Sequence, residues 1–76
     1  MRTFEDATGR AWDAAVTDES YGTQRLVFSV RGARELRSQA LTFSTRFEAE
    51  QWLLAQDEGD LRRMLDDAPA WEPGAG

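Results

Sequence analysis

The stretch QRLVFSVRGARELRSQALTF, residues 24–43, decides the fold of this chain. Leu26, Phe28 and Val30 recur at every second position, which is typical of a strand with one buried face. Gly32-Ala33 follows, and a glycine at the first of two central positions favours a two-residue type II′ turn. The stretch therefore predicts a β-hairpin.

The register of this hairpin follows from its turn. A two-residue turn places Arg31 opposite Arg34, Val30 opposite Glu35 and Phe28 opposite Arg37. It also brings Leu41 and Phe43 to the face of Leu26. A three-residue loop would pair Val30 with Leu36 and turn Leu41 and Phe43 outward, because a slip of one residue reverses every side chain. A bulge within residues 36–41 would let Leu36, Leu41 and Phe43 all point inward. The two-residue turn is the preferred prediction.

Two further strands precede the hairpin. Residues 2–5 predict a short strand centred on Phe4, and Asp6-Ala7-Thr8-Gly9 has the composition of a turn in which Gly9 takes a positive φ. Residues 10–17 alternate, and the apolar side chains of one face are Trp12, Ala14 and Val16. Residues 18–23 are expected to form a loop.

Two helices follow the hairpin. Thr45 and Glu48 have the spacing of a capping box, which predicts a helix from Arg46 to about Gln56. Its apolar residues occupy two sides, one with Ala49, Trp52 and Leu53 and one with Phe47 and Leu54. Such a helix is buried on both sides or leaves one side for a partner.

The second helix is predicted from its own cap and apolar spacing. Asp57 can cap it, with Asp60 three residues later, and Pro69 stops it. Its apolar face is formed by Leu61, Met64, Leu65 and Ala68. The expected fold is α+β: a four-stranded antiparallel meander followed by two C-terminal helices packed on one face. Residues 1–68 form the single domain, and residues 69–76 form a flexible tail.

Composition excludes most catalytic chemistry. The 76 residues include no Cys, His or Lys. The chain therefore lacks thiol nucleophiles, the usual general base and Schiff-base lysines, and nothing activates its serines. The acids of residues 57–60 do not have EF-hand spacing, and helix capping accounts for Asp57 and Asp60. We expect no enzyme activity, no cofactor and no metal site.

Charge is distributed unevenly along the chain. The total is −5, but residues 21–46 carry five Arg and one Glu, a net charge of +4. Residues 47–76 carry two Arg and eight acids, a net charge of −6. The two regions either neutralise each other in the fold or form two surfaces of opposite sign. Acidic helices of this kind could also imitate nucleic-acid phosphates.

The candidate partner-binding residues are four arginines of the hairpin and two tryptophans: Arg25, Arg31, Arg34, Arg37, Trp52 and Trp71. Arginines interleaved with apolar residues can bind phosphate or carboxylates, although a solvated hairpin tip also tolerates them. Trp52 is either a core residue or an apolar anchor. Trp71 either folds back onto the helices or belongs to an acidic docking peptide.

These features predict a small non-enzymatic protein-interaction domain that docks on a larger protein as a regulator or inhibitor. Nucleic-acid contact through the Arg-rich hairpin is the second choice, because the overall charge is negative. A homo-oligomeric subunit or homodimer is the third. No apolar run approaches the roughly 20 residues that span a bilayer, so we expect no membrane partner and a cytoplasmic location.

Overall fold

The computed structural model describes residues 1–18 and 23–71. It confirms the α+β architecture: one antiparallel sheet of order β1-β2-β3-β4 is followed by two helices. The strands are β1 (Arg2–Glu5), β2 (Ala11–Asp18), β3 (Gln24–Val30) and β4 (Leu36–Leu41), and the helices are α1 (Arg46–Ala55) and α2 (Glu58–Asp67). Most of the predicted 18–23 loop, residues 19–22, lies outside the described residues.

The turn between β1 and β2 has the predicted chemistry. Gly9 has a φ of 86°, and the Asp6 carboxylate accepts hydrogen bonds from the backbone N–H groups of Thr8 and Arg10, at 2.8 and 3.0 Å. The same carboxylate accepts a bond from the indole N–H of Trp12 at 2.8 Å. The turn is thereby tied to the largest side chain of the core.

These hydrogen bonds, led by those from the Thr8 hydroxyl and the Trp12 indole, hold the pKa of Asp6 well below its ordinary value of 3.8. The unfolded chain therefore binds more protons than the folded one as the pH falls. We expect the free energy of unfolding to decrease from about pH 4 downward. Urea denaturation across this range should show a shallower decrease for Asp6→Asn, but not for the control Asp67→Asn. Equal slopes for Asp6→Asn and the parent protein would contradict this role of Asp6.

The register of the β3–β4 hairpin is the predicted one. Phe28 pairs with Arg37, and Gln24 pairs with Leu41. Leu41 is buried and Phe43 packs against the core, as the two-residue turn required. The two-residue turn centred on Gly32-Ala33 is not formed, because the ladder ends at Ser29 and Leu36. Residues 31–35 connect the strands through a turn at Arg31 and Gly32, in which Gly32 has a φ of 84°.

The strands do not pair at the end of the hairpin, because the charged residues there form ion pairs with other side chains. Arg31 forms an ion pair with Asp13 of β2, and Glu35 forms ion pairs with Arg10 and Arg37. A two-residue turn would place Arg31 directly opposite Arg34. Like charges at directly opposite positions destabilise the pairing of two strands. The pairing of Arg31 with Arg34 was therefore a wrong prediction, although the register behind it is correct.

Both helices begin at their predicted caps. The Thr45 hydroxyl accepts a hydrogen bond from the Glu48 N–H at 3.1 Å, and Asp57 and Asp60 form a reciprocal capping box. Helix α1 buries Ala49 and Leu53, whereas helix α2 buries Leu61 and Leu65. Both helices cover the sheet face that carries Trp12 and Phe28, and this layer forms one core.

The C-terminal ends of both helices are bound by arginines of the sheet. Neither helix has a basic residue in its last turn. Arg2 of β1 donates to the carbonyls of Leu53, Leu54 and Gln56 at 3.1, 3.1 and 2.8 Å at the end of α1. Arg37 of β4 donates to the carbonyl of Leu65 at 3.2 Å in α2. Cations at these positions oppose the negative end of the helix dipole and add a charged donor to carbonyls of the last turn.

Residues 69–71 extend the free edge of β4. Ser38 N–H donates to the Pro69 carbonyl at 3.1 Å, and Trp71 N–H donates to the Leu36 carbonyl at 2.9 Å. Ala70 forms an isolated bridge with Arg37. The first three residues of the predicted tail are therefore bound to the sheet, and residues 72–76 lie outside the described residues.

Candidate interaction surfaces

The six predicted contact residues occupy four places in the fold. The face of the sheet turned away from the helices, called the open face below, carries Arg25, Arg31 and Trp71. Arg37 lies on the opposite, helix-covered face, because its partner in the ladder is the buried Phe28. Arg34 lies in the 31–35 connection and Trp52 in α1. The structure thus places three of the six residues on one face of the sheet.

Arg37 and Trp52 have contacts within the fold. Besides its bond to α2, the Arg37 guanidinium pairs with Glu35 at 3.3 Å and lies 5.9 Å from the centre of the Trp12 ring. The Trp52 ring lies 5.4 Å from that of Phe43 at an angle of 45°, and both pack against the core. These geometries account for both residues without a partner molecule.

One end of the open face is a cluster of charged and hydroxyl groups. The Arg31 guanidinium holds both carboxylate oxygens of Asp13, at 3.2 and 3.3 Å, and the Thr3 hydroxyl donates to the same carboxylate at 2.8 Å. Hydrogen bonds from Arg31 and Thr3 lower the pKa of Asp13 below its usual value. The Arg31 side chain is nevertheless 61% exposed, so its cationic group remains accessible to a ligand.

The other end of the open face carries Trp71. Its pairing opposite Leu36 directs it to this face, and the Arg25 guanidinium lies 5.7 Å from the centre of its indole ring. Arg25 also donates to the hydroxyl of Ser38 at 2.9 Å, and Ser38 is buried although it points away from the helices. Trp71 therefore folds back onto the sheet, on the face opposite the helices, and not onto the helices as one of the two alternatives had it.

The middle of the open face is formed by small or short side chains. Alternation along the strands places these residues there: Ala11, Ala15, Val27 and Ser29. All four are half-buried. A face with small side chains in its centre and arginines at its ends allows a flat partner to approach the strands closely.

A second surface lies on the side of α1 that faces away from the core, and none of the six predicted contact residues lies on it. Phe47 is 69% exposed, Leu54 is 57% exposed, and Met1 beside them is 80% exposed. Leu54 and Met1 line a shallow cavity of about 260 Å³, together with Leu53 of α1 and with Ala15 and Val16 of β2. The signal for this surface was present in the sequence as the second apolar side of the helix.

Polar residues at the rim of the cavity pair with each other. Arg46 contacts Glu50 at 3.1 Å and Asp18 at 3.3 Å. The hydrogen bond to Glu50, together with the charge of Asp18, raises the pKa of Arg46. The charges beside the apolar side chains of α1 are therefore largely compensated.

Within residues 1–18 and 23–71, no group of three acidic, histidine or cysteine side chains is arranged to hold a metal ion. In the same part of the chain, neither ten-residue helix is long enough or apolar enough to cross a membrane.

Comparisons with family models, with curated proteins and with solved structures found no match for this chain. Its function must therefore be argued from the two surfaces.

Proposed function

We propose that this chain is a non-enzymatic protein-interaction domain that docks through its open face on a larger protein, as a regulator or inhibitor. The observation that carries the proposal is the convergence of Arg25, Arg31 and Trp71 on a sheet face that the helices leave uncovered. Tryptophan and arginine are the side chains most enriched among residues that dominate binding energy. A cytoplasmic location accompanies this proposal as a prediction.

The chemistry of the face favours an acidic partner. Arg34 is exposed, and no ion pair joins it to another residue in the described part of the chain. With Arg31 it places two cationic groups at the hairpin end, where the carboxylates of the open face are Asp13, which Arg31 holds, and Glu5, which lies opposite Ala11. Arg25 adds a third cation to this face. A flat protein surface with carboxylates around a small apolar centre would complement this face, and its charge would orient the encounter.

Arg34 lies in the 31–35 connection, at the hairpin end of the open face, and reversing its charge tests the proposed docking face. In capture from nuclease-treated lysate of the native cell, followed by titration of the recovered protein, we expect Arg34→Glu to bind about tenfold more weakly. Arg63→Glu makes the same change of charge on exposed α2, and should bind like the parent protein. Equal affinity for Arg34→Glu, or an equal loss for Arg63→Glu, would contradict docking through the open face.

Single-stranded nucleic acid is the second candidate ligand, and the position of Trp71 favours it. An indole on a sheet face beside an arginine can stack on bases, as in other sheet-based binders of single strands. This hypothesis predicts binding that weakens steeply with salt and that is lost in Trp71→Ala. Retention of the partner after nuclease treatment would exclude it and favour the protein partner.

A further inference from the structure

Helix α1 carries an apolar strip that the open face does not involve. The strip consists of Phe47, Gln51 and Leu54, which lie four and three residues apart and therefore share one side of the helix. The opposite side of α1 carries Ala49 and Leu53, which are buried in the core. Two of the three large hydrophobic side chains with high exposure in the described residues thus lie on one helix, and the third, Met1, lies beside it.

The strip is complementary to a second copy of itself. Phe47 and Leu54 are seven residues apart, which is about two helical turns. When two such helices pack antiparallel about a two-fold axis near Gln51, each Phe47 faces the Leu54 of the other copy. The cavity of about 260 Å³ lies beside Leu54 and Met1, so it is positioned to receive the incoming Phe47 ring. Projection and cavity therefore occur on the same surface, as an isologous interface requires.

Charge is compatible with this pairing. Arg46 and Glu50 neutralise each other along the edge of the strip. In the antiparallel arrangement each Glu50 approaches the Gln51 amide of the other copy, which can donate a hydrogen bond to the carboxylate. The net charge of −5 repels a second copy over a longer range, and salt screens this repulsion.

We infer that the free protein forms a two-fold dimer through α1, with Phe47 of each copy seated beside Leu54 and Met1 of the other. The three exposed side chains amount to on the order of 400 Å² per copy. A standard interface buries about 800 Å² per partner, so this dimer is a reversible equilibrium rather than a permanent assembly. The helices lie on the opposite side of the sheet from the open face, and the cavity meets that face at Ala15 of β2. The strip on α1 therefore leaves most of the open face accessible, and the dimer presents two docking faces.

A single engineered thiol tests the geometry, because the chain has no cysteine of its own. Gln51→Cys places one thiol close to the two-fold axis. Under mild oxidation we expect a disulfide-linked dimer to form at least about tenfold faster than for Arg63→Cys, which carries its thiol on exposed α2. Adding Phe47→Ser to Gln51→Cys should return the rate to that of Arg63→Cys, and circular dichroism checks that the double variant is folded.

Sedimentation equilibrium of the parent protein provides the second test. The mass should rise with concentration toward that of two chains, and the association should strengthen as salt screens the negative charge. Docking through the open face weakens with salt, so the two surfaces are distinguished by opposite dependences. A parent protein that stays monomeric at millimolar concentration would overturn the dimer and leave the open face unaffected. Equal rates of disulfide formation for Gln51→Cys and Arg63→Cys would also overturn the dimer and leave the open face unaffected.

Discussion

Trp12→Ala is expected to leave the domain largely unfolded at 25 °C. Trp12 is 2% exposed and is among the largest fully buried side chains. Replacing a buried tryptophan by alanine costs about 3–5 kcal/mol, from lost burial and from the cavity that remains. A domain of this size without disulfide or metal has about 3–5 kcal/mol of stability in total. One substitution therefore removes most or all of the free energy of unfolding.

The environment of Trp12 adds specific interactions to its burial. Its indole N–H donates to Asp6, and the guanidinium groups of Arg10 and Arg37 lie 5.5 and 5.9 Å from its ring centre. Trp12 thereby joins the β1–β2 turn to the beginning of β4. Its loss is expected to disturb the sheet beyond its own position.

Trp12→Phe is the matched variant for this prediction. It keeps an aromatic ring in the core but removes the N–H donor to Asp6. Urea denaturation followed by circular dichroism should show an intermediate loss of about 1–3 kcal/mol for Trp12→Phe, and no cooperative transition for Trp12→Ala. A cooperative transition for Trp12→Ala within about 1 kcal/mol of the parent protein would contradict the position of this residue in the core.

The local patterns of the sequence were sufficient for the elements and their pairing. Alternation at residues 12–16 and 26–30 identified the buried faces of β2 and β3, because one face of each strand packs against the helices. The β3–β4 register followed from the same rule, since Leu41 and Phe43 had to reach the core. Each of these inferences depends on residues that are close in sequence.

The features that prediction missed depend on residues that are distant in sequence. Arg2 donates hydrogen bonds to the end of α1, which lies some fifty residues later in the chain. Arg31 forms an ion pair with Asp13 of β2 and not with a residue of its own hairpin. Trp71 reaches the open face only because residues 69–71 add to the β4 edge. Nothing in the spacing of these residues specifies their partners, since an arginine can pair with any accessible acceptor within reach.

The two apolar sides of α1 are evident in the sequence, but the sequence does not specify which of them is buried. The structure buries the side with Leu53 and exposes the side with Leu54. Adjacent positions therefore carry the same residue type in opposite environments, 2% and 57% exposed. This contrast leads to the second prediction with a large effect. Replacement of leucine by alanine should affect folding at position 53 and association at position 54.

Leu53→Ala is expected to lower the free energy of unfolding by about 2–4 kcal/mol, since it removes a buried side chain that joins α1 to the sheet. Leu54→Ala is expected to change it by less than about 0.5 kcal/mol in dilute solution, where the proposed dimer dissociates. Urea denaturation at low concentration measures both values, and sedimentation equilibrium at high concentration then separates the two roles. There, Leu54→Ala should weaken the dimer, whereas Leu53→Ala acts on the fold itself. A Leu54→Ala variant as destabilised as Leu53→Ala in dilute solution would place its side chain in the core and remove the basis for an interface on α1.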